Sequence, residues 1–319
     1  RGRLTCAGRG HPRPRPQSQA PDTGSSQTID GGNVMTRKFA AAALAAVILS
    51  TAAAQADPIE DKELSINGGE VVLPLRAPAP EFLKDTFPEV ISGHAYRDPD
   101  TRAMQSDDFS NPGMVFVDSG LAAWDAVEGT QGKSCANCHN GIESMKGVRA
   151  AMPKMNEKGD DLWSLENFVN NCRTTRMGAD EWKWNSQEMK NMTAAISMQS
   201  RGMPVAVKTD GPAQSYWEKG KEIYYTRYGQ LELACANCHE QHAGDMIRAD
   251  HLSQGQINGF PTYRLKDAGM VSIHQRFVGC VRDTRAETFA AGSPEFRALE
   301  LYVASRGAGL PVEGVSVRH

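Results

Sequence analysis

Cys135-Ala136-Asn137-Cys138-His139 recurs unchanged as Cys235-Ala236-Asn237-Cys238-His239, 100 residues further along the chain. The pattern C-x-x-C-H is the attachment signature of c-type haem. Its two thiols add to the haem vinyl groups as thioethers, and the adjacent histidine is an axial ligand of the iron. A lone C-x-x-C could be a redox dithiol or half of a zinc site. Two complete motifs that both end in histidine instead predict two haem c groups.

The similarity between the two halves extends beyond these motifs. Gly120 and Gly220 each lie 15 residues before the first motif cysteine, in segments with the apolar spacing of helices. Downstream, FVNNCRTTR at 168–176 parallels FVGCVRDTR at 277–285. A duplication of this kind predicts a mainly α fold with two tandem cytochrome c-like domains, each of which binds one covalent haem.

The domain boundaries follow from the repeat. Residues 57–205 are predicted to hold an N-terminal extension and the first cytochrome c domain, and residues 206–319 the second. The Pro- and Gly-bearing stretch 205–212 is the natural linker. Residues 57–110 precede the first repeat, and we expect this extension to pack on the first domain.

Composition excludes several classes of protein. The chain has 319 residues, 40% of them hydrophobic, a net charge of −3 and seven cysteines. This length suits two domains, and its apolar residues are too evenly spread for several membrane spans. A generic nucleic-acid binder would be strongly basic, so we expect no nucleic-acid partner.

The N-terminal region has the pattern of an export signal. Residues 35–56 show a charged start, a short apolar run and Ala-Gln-Ala at 54–56, which predicts a signal peptide cleaved after Ala56 and a periplasmic protein. The apolar run is shorter than the ~20 residues of a membrane span, which disfavours an N-terminal anchor. Residues 1–34 are interpreted as a spurious or disordered upstream segment. The remaining 263 residues carry 28 basic and 36 acidic side chains, a net charge of −8, and six cysteines.

Two cysteines remain after the four motif thiols are assigned to thioethers. Cys172 and Cys280 occupy equivalent places in the repeat, 33 and 41 residues after the histidines of their own motifs, so each is expected near its own haem. A disulfide between them and simple burial are the alternatives. Met203 is the usual type of distal ligand for the first half, but its repeat partner is Leu310, which cannot bind iron. Cysteine ligation is therefore favoured for both haems.

Other polar and aromatic residues have less specific interpretations. Four histidines lack a repeat partner, so a surface or propionate-contact role is expected for each: His94, His242, His251 and His274. The methionines of 189–203 and the tryptophans Trp182 and Trp184 are expected to pack in the core or against haem.

One difference between the halves indicates where chemistry takes place. Arg276 lies just upstream of Cys280, where the first half has Asn167. An arginine there can bind an oxyanion or keep a cysteine sulfur anionic. A surface or propionate-pairing arginine is the alternative. The asymmetry suggests that the first haem relays electrons and the second is the reactive one.

Together these residues resemble the SoxA family, the dihaem subunits of SoxAX thiosulfate-oxidising cytochromes. The resemblance covers residues 57–319 and implies covalent haem attachment and His/Cys axial ligation in both domains. The implied attachment residues are Cys135, Cys138, Cys235 and Cys238, and the implied iron ligands are His139, Cys172, His239 and Cys280. It also implies that Cys280 is a catalytic cysteine persulfide and that Arg276 is a catalytic, substrate-binding residue.

The implied reaction is the oxidative conjugation of thiosulfate to a cysteine of a SoxYZ-like carrier protein. The implied partners are a SoxX-like monohaem cytochrome c and a soluble cytochrome c acceptor. A dihaem thiosulfate dehydrogenase that makes tetrathionate and a pure electron-transfer cytochrome c are the alternatives. A dihaem peroxidase fits less well because it needs an open distal position.

Overall fold

A computed structural model describes residues 60–319 of the chain. The upstream segment 1–34, the predicted signal peptide 35–56 and its cleavage site lie outside the described residues. Within residues 60–319, no helix has both the length and the apolar character that crossing a bilayer requires.

Helices dominate the two repeats, and the strands are short, as the sequence predicts. The helices are α1 (Pro99–Gln105), α2 (Met114–Asp125), α3 (Ala136–His139), α4 (Leu165–Cys172), α5 (Gln187–Met198), α6 (Gln214–Tyr225), α7 (Ile273–Asp283) and α8 (Pro294–Arg306). The strands are β1 (Glu63–Ile66), β2 (Val71–Pro74), β3 (Arg76–Pro78), β4 (Glu89–Ile91), β5 (Lys154–Met155), β6 (Leu162–Trp163), β7 (Met246–Ile247), β8 (Asp250–His251), β9 (Thr262–Arg264), β10 (Gly269–Val271) and β11 (Ser316–Arg318).

The strands form small sheets around the helices. Four antiparallel pairs join β1 to β2, β3 to β4, β5 to β6 and β7 to β8. A three-stranded sheet has the order β10-β9-β11, in which β11 runs parallel to β9. This last sheet brings the C-terminal residues of the chain beside the loop that follows the second motif.

A close helix crossing is the core of each repeat, and a glycine makes it possible. Helix α2 crosses α5 at Gly120, and α6 crosses α8 at Gly220. A Cβ atom at Gly120 would lie 2.2 Å from the carbonyl oxygen of Asn191, and one at Gly220 would lie 2.1 Å from that of Ala298. The repeated glycines therefore have the same function in both domains, which is to let two backbones approach.

The helices that carry Cys172 and Cys280 begin at equivalent serine caps. Ser164 and Asn167 form a capping box at the start of α4, and Ser272 accepts a hydrogen bond from the Gln275 amide at the start of α7. Such caps satisfy amide groups that have no partner within the helix. A wide helical turn, Arg173–Met177, follows α4, in the half whose sequence has one extra residue before its cysteine.

The C-terminal ends of the two repeats pair with each other. The Gly202 amide donates to the Val312 carbonyl (2.8 Å), the Val312 amide to the Met203 carbonyl (2.8 Å), and the Val205 amide to the Leu310 carbonyl (2.9 Å). The segment before the linker is thus bound to the equivalent segment of the second repeat. This pairing joins the two domains along one antiparallel ladder.

The N-terminal extension contacts both domains, so the expectation that it packs on the first domain was incomplete. Asp108 accepts two hydrogen bonds from Arg201 of the first repeat, at 2.7 and 2.8 Å. Gln105 donates to the buried carboxylate of Glu313 (2.7 Å), which also pairs with Arg318 (2.8 Å). The extension therefore holds the C-terminal segment of the second domain in place.

Candidate functional site

The asparagine of each C-x-x-C-H motif fixes the turn on which the cysteines lie. The side-chain oxygen of Asn137 accepts from the Ser134 amide at 2.7 Å, and that of Asn237 accepts from the Ala234 amide at 2.7 Å. The same hydrogen bond, from a backbone amide to the asparagine side chain, therefore stabilises the turn of each motif. This explains why the residue before the second cysteine is an asparagine in both repeats.

The imidazole of His239 is oriented for metal binding through one nitrogen. Its Nδ1 atom donates a hydrogen bond to the Ser253 carbonyl at 2.8 Å, which leaves Nε2 without a proton. Gly255, with φ +77°, lies against the ring, where a Cβ atom would be 2.9 Å from the histidine Cγ. Burial lowers the pKa of His239 to about 4, so the ring is neutral, which is the form that coordinates iron.

His139 occupies the equivalent place in the first domain. Its ring centroid lies 5.8 Å from that of Trp124, whose Nε1 donates to the Asn140 carbonyl at 2.9 Å. Trp124 is on α2 and is the repeat counterpart of Tyr224 on α6. An aromatic side chain thus comes from the same helix in both domains to pack beside the motif.

Each remaining cysteine lies on a helix that packs in the same apolar cluster as the first cysteine of its own motif. In the first domain, Cys135 packs with Phe168 and Val169 of α4, the helix that ends at Cys172. Burial and then the Cys172 sulfur raise the pKa of the Cys135 thiol.

The second domain repeats this arrangement. Cys235 packs with Phe277 and Val278 of α7, which also carries Cys280. Burial and then the Cys280 sulfur raise the pKa of the Cys235 thiol to about 12, and the same two causes raise the pKa of Cys238. Each pocket therefore brings together a histidine, two attachment thiols and a third cysteine.

This donor set fits haem c, and the described residues disfavour the alternatives. All six cysteines between residues 135 and 280 are free, so Cys172 and Cys280 do not form the disulfide considered above. Met203 lies in a separate apolar cluster with Ala150, Val205 and Val312. The structure therefore brings Cys172, rather than Met203, to the first motif.

The four histidines that have no counterpart in the other repeat divide into two types. His242 is exposed and pairs with Asp245, and His251 lies partly buried at the end of β8. His94 and His274 are fully buried, so the expected surface role is wrong for these two. The His274 ring stacks on Trp184 at a centroid distance of 4.8 Å. Its polar contacts are described below.

Arg276 and Cys280 lie one helical turn apart on α7. The Cys280 sulfur is the group that acts most strongly on Arg276, and it raises the pKa of the guanidinium despite partial burial. In the first domain, burial raises the pKa of Cys172, while Arg176 lowers this pKa. Arg176 follows its cysteine in the sequence, whereas Arg276 precedes Cys280. Arg176 is exposed, whereas Arg276 is partly buried. The arginine that acts on Cys172 is thus exposed, the one that acts on Cys280 is partly buried, and the buried Arg173 beside Cys172 pairs with Glu128 at 2.8 Å.

A second arginine near Cys280 was missed by the sequence analysis. Burial and then the charge of Arg276 lower the pKa of Arg264, whereas the Cys280 sulfur raises it. Arg264 is at the end of β9, where its side chain donates to the His319 carbonyl (3.0 Å) and Asp267 (3.1 Å). It lies 16 residues before Cys280 and has no motif that marks it. Only the folded chain brings it to the site.

The family of the chain follows from comparison with known proteins. The family model described as "SoxA/TsdA, cytochrome c domain" matches residues 119–205 and 219–312, which correspond to the two repeats. The L-cysteine S-thiosulfotransferase subunit SoxA of Paracoccus pantotrophus is 61% identical over 280 residues, 86% of this chain and 97% of that protein. The chain belongs to the SoxA family.

Other SoxA proteins and a solved structure agree with this assignment. The SoxA subunit of Rhodovulum sulfidophilum is 56% identical, over 89% of this chain and 99% of that protein. The crystal structure of SoxXA from P. pantotrophus contains a chain that is 62% identical, with a TM-score of 0.80 over 82% of this chain and 100% of that chain. The predicted cytochrome c fold and the resemblance to SoxA are thereby confirmed.

Proposed function

We propose that this chain is the SoxA-type cytochrome that joins thiosulfate to a cysteine of a carrier protein, with Cys280 and Arg276 as its reactive site. The enzyme class, a haem-dependent sulfur transferase, is that of its SoxA relatives. The observation that carries the site assignment is the placement of Cys280 beside the second motif, where its sulfur is the strongest electrostatic influence on the partly buried Arg276. The arginine that lowers the pKa of the equivalent cysteine in the first domain, Arg176, is exposed, and the buried Arg173 beside that cysteine is paired with Glu128.

Two haem c groups fit the two pockets. The first would be held by Cys135, Cys138 and His139, with Cys172 as a further iron ligand. The second would be held by Cys235, Cys238 and His239, with Cys280 as a further iron ligand. Bound haem supplies an acceptor for electrons, and thiolate ligation favours its ferric state.

The residues around Cys280 suit a sulfur dianion. Thiosulfate has a sulfonate end and a terminal sulfur, and a guanidinium binds the sulfonate oxygens through two parallel N–H donors. We place the sulfonate on Arg276, with Arg264 as a second cation that positions it. The terminal sulfur then faces the persulfide sulfur of Cys280.

The overall conversion balances as an oxidation. The carrier thiol and thiosulfate form one S–S bond, and the thiol S–H bond breaks. One proton and two electrons are released. The electrons pass to a SoxX-like monohaem cytochrome c and then to a soluble cytochrome c, while a SoxYZ-like protein presents the thiol. The solved relative is itself a SoxXA complex. With the export signal proposed for residues 35–56, this reaction takes place in the periplasm.

The proposal is tested with matched variants on one helix. Cys280→Ser and Arg276→Ala should lose thiosulfate-dependent conjugation to the carrier thiol while haem content stays normal. Arg282→Ala is the control, because Arg282 is on the same helix and 72% exposed. Full conjugation by Cys280→Ser or Arg276→Ala would refute the site. Tetrathionate formation without any carrier would favour a thiosulfate dehydrogenase instead.

A further inference from the structure

A small cavity lies where the helices that carry Cys172 and Cys280 begin. Its wall includes Leu165 and Glu166 from α4, Ser272 and Ile273 from α7, and Glu300 from α8. The first turns of two equivalent helices therefore meet at one point between the domains. The cavity leaves about 20 Å³ for the centre of a water molecule, which is enough for one water.

The charged groups in this wall do not balance if all are ionised. Glu166, Glu300 and Arg149 are all buried and all line the cavity. Two carboxylates thus face one guanidinium in the protein interior. A second buried negative charge without a counter-ion is costly, so one of the two carboxyls retains a proton.

Hydrogen bonds decide which carboxyl is ionised. Glu300 accepts hydrogen bonds from Nε2 of His274 (3.1 Å) and from the Ser164 hydroxyl. His274 can only donate there, because its Nδ1 atom accepts from the Gly292 amide at 2.9 Å. The ring is therefore neutral and carries its proton on Nε2. Two donors directed at Glu300 make it the ionised member of the pair.

Glu166 is left as the member that holds the proton. Burial and then the negative charge of Glu300 raise the pKa of Glu166 to about 7, while Arg149 acts in the opposite direction. Burial also opposes ionisation of Glu300, but its hydrogen bonds and Arg149 outweigh burial and hold its pKa below the usual value. The four groups that face one another are thus Glu166, Glu300, Arg149 and His274.

The buried charged cluster lies close to both helices that carry the cysteines. Glu166 lies six residues before Cys172 on α4, and His274 lies six residues before Cys280 on α7. At 1.5 Å per residue, each is roughly 9 Å along its helix from the cysteine. Charges at such a distance inside a protein are only weakly screened by salt.

We propose that Glu166 is a redox-linked proton site between the two cytochrome domains. In the fraction of molecules in which Glu166 is ionised, its carboxyl, next to a cavity with room for one water, takes up a proton when an electron enters the protein and releases it when the electron leaves. Up to one proton from solvent is bound for each electron gained, and the carboxyl O–H bond is the only bond that forms. This inference requires the haem c content but not the thiosulfate chemistry, so the two can fail separately.

The test is the pH dependence of the reduction potentials of the purified haem-containing protein, measured by spectroelectrochemical titration. In the wild type, at least one potential should fall as the pH is raised through 7. Glu166→Gln should remove this fall, since an amide resembles the protonated carboxyl and cannot ionise. Glu188→Gln, which changes an exposed glutamate of α5, should retain it. A Glu166→Gln protein with the wild-type pH dependence would overturn the proposal.

A second measurement needs no variant. Protein labelled with ¹³C at the glutamate carboxyls should show the infrared band of a protonated, labelled carboxyl that disappears as the pH passes 7. The label separates this band from those of haem propionates. A wild-type protein without such a band at a pH just below 7, where glutamates of ordinary pKa are ionised, would contradict the proposal, even if Glu166→Gln did not fold.

Discussion

Gly220→Ala tests whether the helix crossing in each repeat depends on its glycine. The added Cβ would lie 2.1 Å from the Ala298 carbonyl oxygen, and real Cβ atoms do not approach other atoms within 3.0 Å. Helices α6 and α8 must therefore separate by about 1 Å. Because the obstacle is backbone, a side-chain rotation cannot relieve it.

The expected cost follows from two opposing effects. Overpacking a well-packed contact costs about 1–3 kcal/mol. Replacing a helical glycine by alanine returns about 0.5–1 kcal/mol through helix propensity. The net loss is about 1–2 kcal/mol, which in a chain of this size lowers the Tm by about 2–8 °C.

Thermal and urea unfolding of the haem-containing protein measure this loss. Gly120→Ala should lose a similar amount, since its Cβ would be 2.2 Å from the Asn191 carbonyl oxygen. Lys221→Ala, an exposed position on α6, serves as control and should remain within about 0.5 kcal/mol of the wild type. A Gly220→Ala protein as stable as the wild type would refute the crossing geometry.

Two further predictions concern stability in acid and substrate binding. Arg318 and then His94 outweigh burial and hold the pKa of Glu313 at about 2, against 4.5 for a free side chain, so this group adds about 3 kcal/mol of stability above pH 4.5. That stability should be lost as the pH falls towards 2. Urea unfolding should therefore show that the difference in free energy of unfolding between wild type and Glu313→Gln is about 2 kcal/mol smaller at pH 3 than at pH 7. An unchanged difference would contradict the ion pair. Arg264→Gln should raise the KM for thiosulfate about tenfold with little change in kcat, since one charge-assisted contact contributes about 1.5–3 kcal/mol. An unchanged KM in steady-state conjugation assays would remove Arg264 from the site.

The sequence was sufficient to predict those features that the two repeats share. Gly120 and Gly220 occupy identical positions before their motifs, and both prove to lie at a helix crossing. The helices of Cys172 and Cys280 each pack against their own motif, and each sulfur acts on a motif thiol. Duplication makes such features visible, because a residue kept at the same place in both halves has the same neighbours.

Contacts that only one half makes could not be predicted. Arg264 approaches Cys280 from a strand, and no spacing rule connects β9 to α7. Glu166 and Glu300 are 134 residues apart and meet only because two domains pack together. The pairing of the extension with Glu313 is likewise a contact between distant segments. These are tertiary contacts between unrelated segments, on which helix periodicity and motif spacing carry no information.

We propose that Cys280 is the reactive sulfur and that Cys172 is not. Mass spectrometry of peptides from the native protein, isolated without reductant after exposure to thiosulfate, tests this most directly. We expect one additional sulfur atom on the peptide that contains Cys280 and none on the peptide that contains Cys172. An unmodified Cys280 peptide, or the same addition on both peptides, would contradict the account.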